Sequence, residues 1–122
     1  PKGHKGGARP SGSIEEPIDP LRLMLTAGAT FVARSYAGEI EKTKEIIKAA
    51  HAHKGFSFIE IAQPCITFFD TRDFFKDNIV WLPEDHPKGD RRAAYEATQR
   101  EDGKVPMGIF YHVTQPTFEE QL

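Results

Sequence analysis

Residues 56–62, FSFIEIA, form an apolar run of aromatic and β-branched side chains that stops at Gln63-Pro64. No other stretch constrains the fold as strongly. A run this short and continuous suits a strand covered on both faces, as in a parallel sheet flanked by helices. Proline cannot donate a ladder hydrogen bond and restricts the residue before it, so the strand is expected to end there. The next residue, Cys65, is the chain's sole cysteine. In open parallel α/β sheets, ligands and cofactors gather at the carboxyl ends of the strands. The only thiol therefore falls where chemistry is expected.

The neighbouring stretches supply the rest of an α/β unit. A helix is predicted over residues 39–52, because Ile40, Thr43, Ile46, Ile47 and Ala50 share one stripe while Glu39, Glu41, Lys42, Lys44, Glu45 and Lys48 cover the other face. Its acids lead and its bases trail, which complements the helix dipole, and Gly55 supplies a stop. Residues 30–34 read as a strand with Phe31 and Val32 buried, so strand, helix and strand make a crossover between parallel neighbours. Upstream, Asp19 caps a short helix opened by Pro20 and closed by Gly28. Downstream, residues 79–82 suit a short strand, Asp90 caps a helix over 91–100, and residues 105–113 are extended, with Pro106 and Gly108 suggesting an edge position. The organisation expected is a mobile or extended connector over 1–18, an α/β core over 19–69 that ends in Gln63-Pro64-Cys65, and a carboxyl-terminal extension of the same domain over 70–122.

Length and charge narrow the function classes. At 122 residues the chain suits one domain. A net charge of −2 and a pI near 6.2 provide no basic field for nucleic acid and no polybasic anchor for a membrane. A single cysteine forms no internal disulfide, and no leading apolar segment resembles a signal peptide, so a cytoplasmic protein is expected.

Several side chains are candidates for chemistry, each with a structural alternative. Cys65 reads as a small buried hydrophobe, as a nucleophile, or as a metal or cluster ligand. His51, His53, His86 and His112 are scattered and nominate no base beside it. A cluster would need three further thiolates. Glu60 is the one charge within the apolar strand, so it is an acid or base with a shifted pKa, the partner of a cation on a covering element, or a group that points towards a partner outside this sequence. Arg34, near the end of the first strand, either faces an anion or makes a surface ion pair. His51 and His53 are two apart on a helix and point about 200° from each other, which favours solvated side chains over a shared ion. Gly3, Gly6 and Gly7 lack the Gly-Lys-Ser/Thr ending of a phosphate-binding loop.

The stretches Ile14-Glu15-Glu16-Pro17-Ile18-Asp19-Pro20, Ala27-Gly28-Ala29-Thr30-Phe31-Val32-Ala33-Arg34 and His53-Lys54-Gly55-Phe56-Ser57-Phe58-Ile59-Glu60-Ile61-Ala62-Gln63-Pro64-Cys65 occur in that order. Together with Val105-Pro106-Met107-Gly108-Ile109-Phe110-Tyr111, they resemble the β subunit of the 2-oxoacid:ferredoxin oxidoreductases. These are thiamine diphosphate and iron–sulfur enzymes. The resemblance implies that the chain is the carboxyl-terminal fragment of that subunit. It implies an α/β fold with a partial parallel sheet and flanking helices, from a thiamine diphosphate-binding fold, plus an irregular carboxyl-terminal extension. The preceding half would carry the Mg²⁺ and diphosphate motif and three cluster cysteines, and Cys65, in the Gln-Pro-Cys motif, would be the fourth ligand of a [4Fe-4S] cluster. No residue in this stretch would be catalytic. The activity implied is oxidative decarboxylation of a 2-oxoacid to acyl-CoA, with electrons leaving to ferredoxin and an α subunit and coenzyme A as partners. The form Gln63-Pro64-Cys65-Ile66-Thr67-Phe68 leans towards the 2-oxoglutarate or general 2-oxoacid branch, while Phe69 stands where relatives commonly have asparagine. The alternatives are a stand-alone α/β binding or interaction module without catalysis, and a small cysteine hydrolase or thiol redox protein. As a fragment, the chain is expected to be inactive alone and to expose a sheet edge and an apolar patch that promote self-association.

Overall fold

Helix α1 (Pro20–Ala27) is set by its ends. Asp19 Oδ1 accepts the Leu21 N–H at 3.0 Å, Pro20 opens the first turn, and Gly28 closes the helix in the left-handed conformation at φ 97°. The computed structural model describes residues 18–63 and 76–116. The expected connector over 1–18 lies almost wholly outside these residues. Leu21 and Leu25 are fully buried beneath the sheet.

Strand β1 (Phe31–Tyr36), helix α2 (Ile40–Ala52) and strand β2 (Ser57–Ala62) form the expected strand–helix–strand unit. The two strands are parallel, in register from Phe31 opposite Ser57 to Tyr36 opposite Ala62. Strand β3 (Ile79–Trp81), helix α3 (Arg91–Ala97) and strand β4 (Val105–His112) follow. The strand order is β2-β1-β4-β3. The sheet is mixed, because β4 runs antiparallel to β1 and parallel to β3.

Alternation along β1 divides the core into two layers. Val32 faces α1 and α3 with Leu21, Leu25, Ala94, Phe110 and Tyr111, while Phe31 and Ala33 face α2 and pack with Ile46. The polar cap of α3 is also as expected, since Asp90 Oδ1 accepts from the N–H groups of Arg92 and Ala93 at 2.9 and 3.2 Å. The helix is shorter than predicted and ends at Thr98.

Two sequence expectations change on folding. The 56–62 run is not covered on both faces. Among the described residues β2 pairs only with β1, so it is an edge strand, with Phe56 48% and Ile61 39% exposed. The α2 stripe is correspondingly narrow: Ile46 is buried, whereas Ile40 and Ile47 are exposed.

Strand β4 departs in the opposite direction. Despite Pro106 and Gly108, it lies inside the sheet between β1 and β3. Met107 O turns towards β3 and accepts the Leu82 N–H at 2.8 Å, so Pro106 turns towards β1, where the ladder ends at the pair Arg34–Gly108. The missing proline N–H thus breaks no ladder bond, and the Pro106 carbonyl is left free to accept from a side chain. Further along, Val32 pairs with Tyr111 and Ala33 with Ile109, which makes Phe110 the extra residue of a β-bulge and allows Phe110 and Tyr111 both to be buried.

Two outcomes are expected. Asp90→Ala should lower stability by about 1 kcal/mol, the usual cost of a lost N-cap, as a shift in urea midpoint at unchanged slope. The open β2 edge should promote self-association that Ile61→Lys reduces; light scattering that shows equal, concentration-independent monomers for both proteins would contradict this.

Candidate functional site

Arg34 lies on β1 directly opposite Glu60 on β2. Side chains two residues apart share a strand face, so Arg34 follows Val32 onto the α1 side, beneath the cap of that helix. Its side chain is 1% exposed. Nη1 donates to the Pro106 carbonyl at 3.2 Å, Nη2 lies 3.5 Å from Asp19 Oδ1, and Nε lies 3.4 Å from Glu60 Oε1. The Phe110 ring lies beneath it, 5.9 Å from ring centroid to guanidinium carbon. Arg34 is therefore a buried ion-pair centre and not the surface pair expected from sequence. Glu60 has the cationic partner its strand position called for, but on the adjacent strand instead of a covering element.

The electrostatics are tightly balanced. Burial works against the guanidinium charge and lowers its pKa from the free value; Glu60 and Asp19 oppose that shift, and the Arg100 charge adds to it. Arg34 Nε, Arg34 Nη2 and Glu60 Oε2 are buried without a hydrogen-bond partner, so the cluster is held by charge attraction more than by hydrogen-bond geometry. With both carboxylates paired to it, Arg34 fastens the cap of α1, strand β2 and strand β4 to β1. Strand β2 ends at Ala62, and Gln63-Pro64-Cys65 follows in sequence. Cys65 itself lies outside the described residues. Among those residues, no group of three or more His, Cys, Asp or Glu side chains could hold a metal ion.

The reading of His51 and His53 as solvated side chains holds for His51 and fails for His53. His51 is exposed, but His53 packs against Phe31 and His112, with ring centroids 5.7 and 4.9 Å away. Its Nε2 lies 2.6 Å from Thr30 Oγ1. Gly55 permits this approach: it adopts φ 134°, and a Cβ there would stand 2.6 Å from the Thr30 hydroxyl. The pairing of His53 with His112 joins the end of α2 to β4, which no local pattern connects. Desolvation first, and the His112 charge second, lower the His53 pKa from 6.5.

The depressed His53 pKa means the unfolded chain binds the proton more readily. Its contribution to stability is complete above pH 6.5 and is lost as pH falls below it. His53→Gln should flatten the fall in urea midpoint between pH 7.5 and 5.5, and an unaltered profile would refute the assignment. Arg34→Met leaves two part-buried carboxylates facing each other and should cost about 3 kcal/mol, the lower end for a broken buried pair because both acids are partly solvated. In Arg34→Met/Glu60→Gln the loss should be smaller than the sum of the single losses, as read from chemical denaturation.

Comparison with known proteins agrees with this architecture. Residues 65–122 match the family described as the C-terminal part of the pyruvate ferredoxin oxidoreductase beta subunit. The beta subunit of 2-oxoacid:ferredoxin oxidoreductase 1 from Aeropyrum pernix is 34% identical over a match covering 99% of this chain and 42% of that protein. The 2-oxoglutarate synthase subunit KorB of Methanocaldococcus jannaschii is 30% identical, with 100% of this chain and 46% of that protein covered. Among solved structures, the 2-oxoglutarate:ferredoxin oxidoreductase from Magnetococcus marinus with 2-oxoglutarate, coenzyme A and succinyl-CoA bound superposes with a TM-score of 0.90 at 39% identity, over 98% of this chain and 42% of that one. The chain thus spans less than half the length of these relatives. With the α/β core, the mixed sheet and near-complete coverage in agreement, the chain belongs to the family of 2-oxoacid:ferredoxin oxidoreductase β subunits.

Proposed function

We propose that this chain works as part of the β subunit of a 2-oxoacid:ferredoxin oxidoreductase, an enzyme that oxidatively decarboxylates a 2-oxoacid to acyl-CoA and passes the electrons to ferredoxin. The observation that carries this reading is the match over 98% of the chain to an oxidoreductase structure holding 2-oxoglutarate, coenzyme A and succinyl-CoA. Relatives named for 2-oxoglutarate support that acid, or a 2-oxoacid of similar size, as substrate. The partners are an α subunit and ferredoxin. A cytoplasmic location is part of the proposal, and no helix of the described residues is long and apolar enough to cross a membrane.

The donor set limits what this chain contributes to the cofactors. One cysteine in 122 residues supplies one thiolate, whereas a [4Fe-4S] cluster takes four. Cys65 fits the role of a single ligand, and the other three must come from polypeptide outside this sequence. Thiamine diphosphate and Mg²⁺ belong to the same assembly, with the motif for Mg²⁺ and the diphosphate assigned to the preceding half of the subunit. When bound, thiamine diphosphate would supply the decarboxylation chemistry and the cluster the one-electron route outwards. The chain's own contribution is positional. Arg34 fixes Glu60 against β1, and the strand so held leads within five residues to Cys65, which limits how far the ligand can stray. Cys65 thereby has a ligating and not a nucleophilic role.

Anaerobic co-expression of the complete β sequence with its α partner tests this. Cys65→Ser should remove or alter the EPR signal of one cluster and abolish coenzyme A-dependent ferredoxin reduction. An unchanged cluster spectrum in the variant would reject the ligand assignment.

A further inference from the structure

A surface cavity of about 240 Å³ lies between the amino end of α1 and the residues that follow α3. Its polar lining consists of Asp19, Arg22, Thr98, Gln99 and Arg100, with Ile18 as an apolar wall. Arg22 is held in place: its Nε donates to Thr98 Oγ1 at 2.9 Å and its Nη2 to the Tyr95 carbonyl at 3.1 Å. Thr98 is fully buried and anchored in turn to the same carbonyl at 2.7 Å. The orientation of Arg22 is therefore fixed from behind, and Nη1 is left without a protein partner among the described residues.

Among the described residues, the charge lining this cavity is positive. Asp19 is the only acid in the lining, and it already caps α1, faces Arg34 at 3.5 Å and lies 3.9 Å from Arg22. Arg100 has no ion-pair partner among the described residues, and its charge is felt as far as Arg34. Among the described residues that line the cavity, Arg22 and Arg100 face the single acid Asp19, which leaves one positive charge in excess. Guanidinium groups bind oxyanions through a planar fork of donors.

We propose that this cavity is a binding subsite for an oxyanion, a phosphate or a carboxylate, carried on a small organic molecule. Arg22 and Arg100 hold the anion, the Gln99 amide adds a neutral donor, and Ile18 meets the attached organic part. Binding here involves no bond-making step.

The test is an NMR titration of the ¹⁵N-labelled chain with inorganic phosphate and, separately, with succinate. Sodium chloride at matched ionic strength is the control, and the arginine Nε–H signals are followed. Phosphate or succinate should shift the Arg22 and Arg100 signals saturably while chloride does not, and the tighter of the two names the chemical source. Arg100→Gln should weaken binding about tenfold or more, as expected for losing a charge-assisted contact. Arg100→Lys should fall between it and the wild type, and Arg92→Gln, on the exposed face of α3, should bind normally. Indistinguishable, non-saturating shifts in all three salts, or full binding by both Arg100 variants, would overturn the proposal.

Discussion

One buried guanidinium holds this structure together. Placing Arg34 out of water is costly unless opposite charge and hydrogen-bond acceptors meet it there. The fold answers with a helix cap, a carboxylate from the adjacent strand and a carbonyl 72 residues further along the chain. Each partner belongs to a different element, so the register of β2, the seating of α1 and the path of β4 all depend on where this one side chain sits. Removing any partner leaves the others with charge or dipole that the interior cannot solvate.

This dependence explains the placement of the strands. With Arg34 on β1, that strand takes the centre, flanked by β2 on one side and β4 on the other. Strand β2 is exposed along its outer edge among the described residues, which fits a chain spanning less than half the length of its relatives. The ion pair ties Glu60, two residues before the end of β2, to the central strand β1.

Much of the local structure was legible in advance. Asp19-Pro20 and Gly28 marked the ends of α1, Asp90 marked the start of α3, and the apolar stripe of residues 40–50 located α2, because caps and periodicity act within a few residues. Glu60 was recognisable as a charge needing a partner. Long-range relations were misread. Pro106 suggested an edge strand because sequence cannot show which side of a strand a missing N–H faces. Arg34 looked like a surface residue because nothing nearby in the chain announced three distant acceptors. His53 looked solvated because its neighbour His112 lies on β4, far along the chain and beyond the reach of any local pattern.

The sequence by itself determined the helices, the parallel β1–β2 pair and, through ordered motifs, the family, since these depend on contacts between near neighbours and on residue identities that survive without coordinates. Only the tertiary structure decided the order of the strands, the burial of Arg34 and the meeting of His53 with His112. Each of those depends on which surfaces the chain brings together after its local elements have formed, and desolvation acts on the assembled surfaces and not on the sequence.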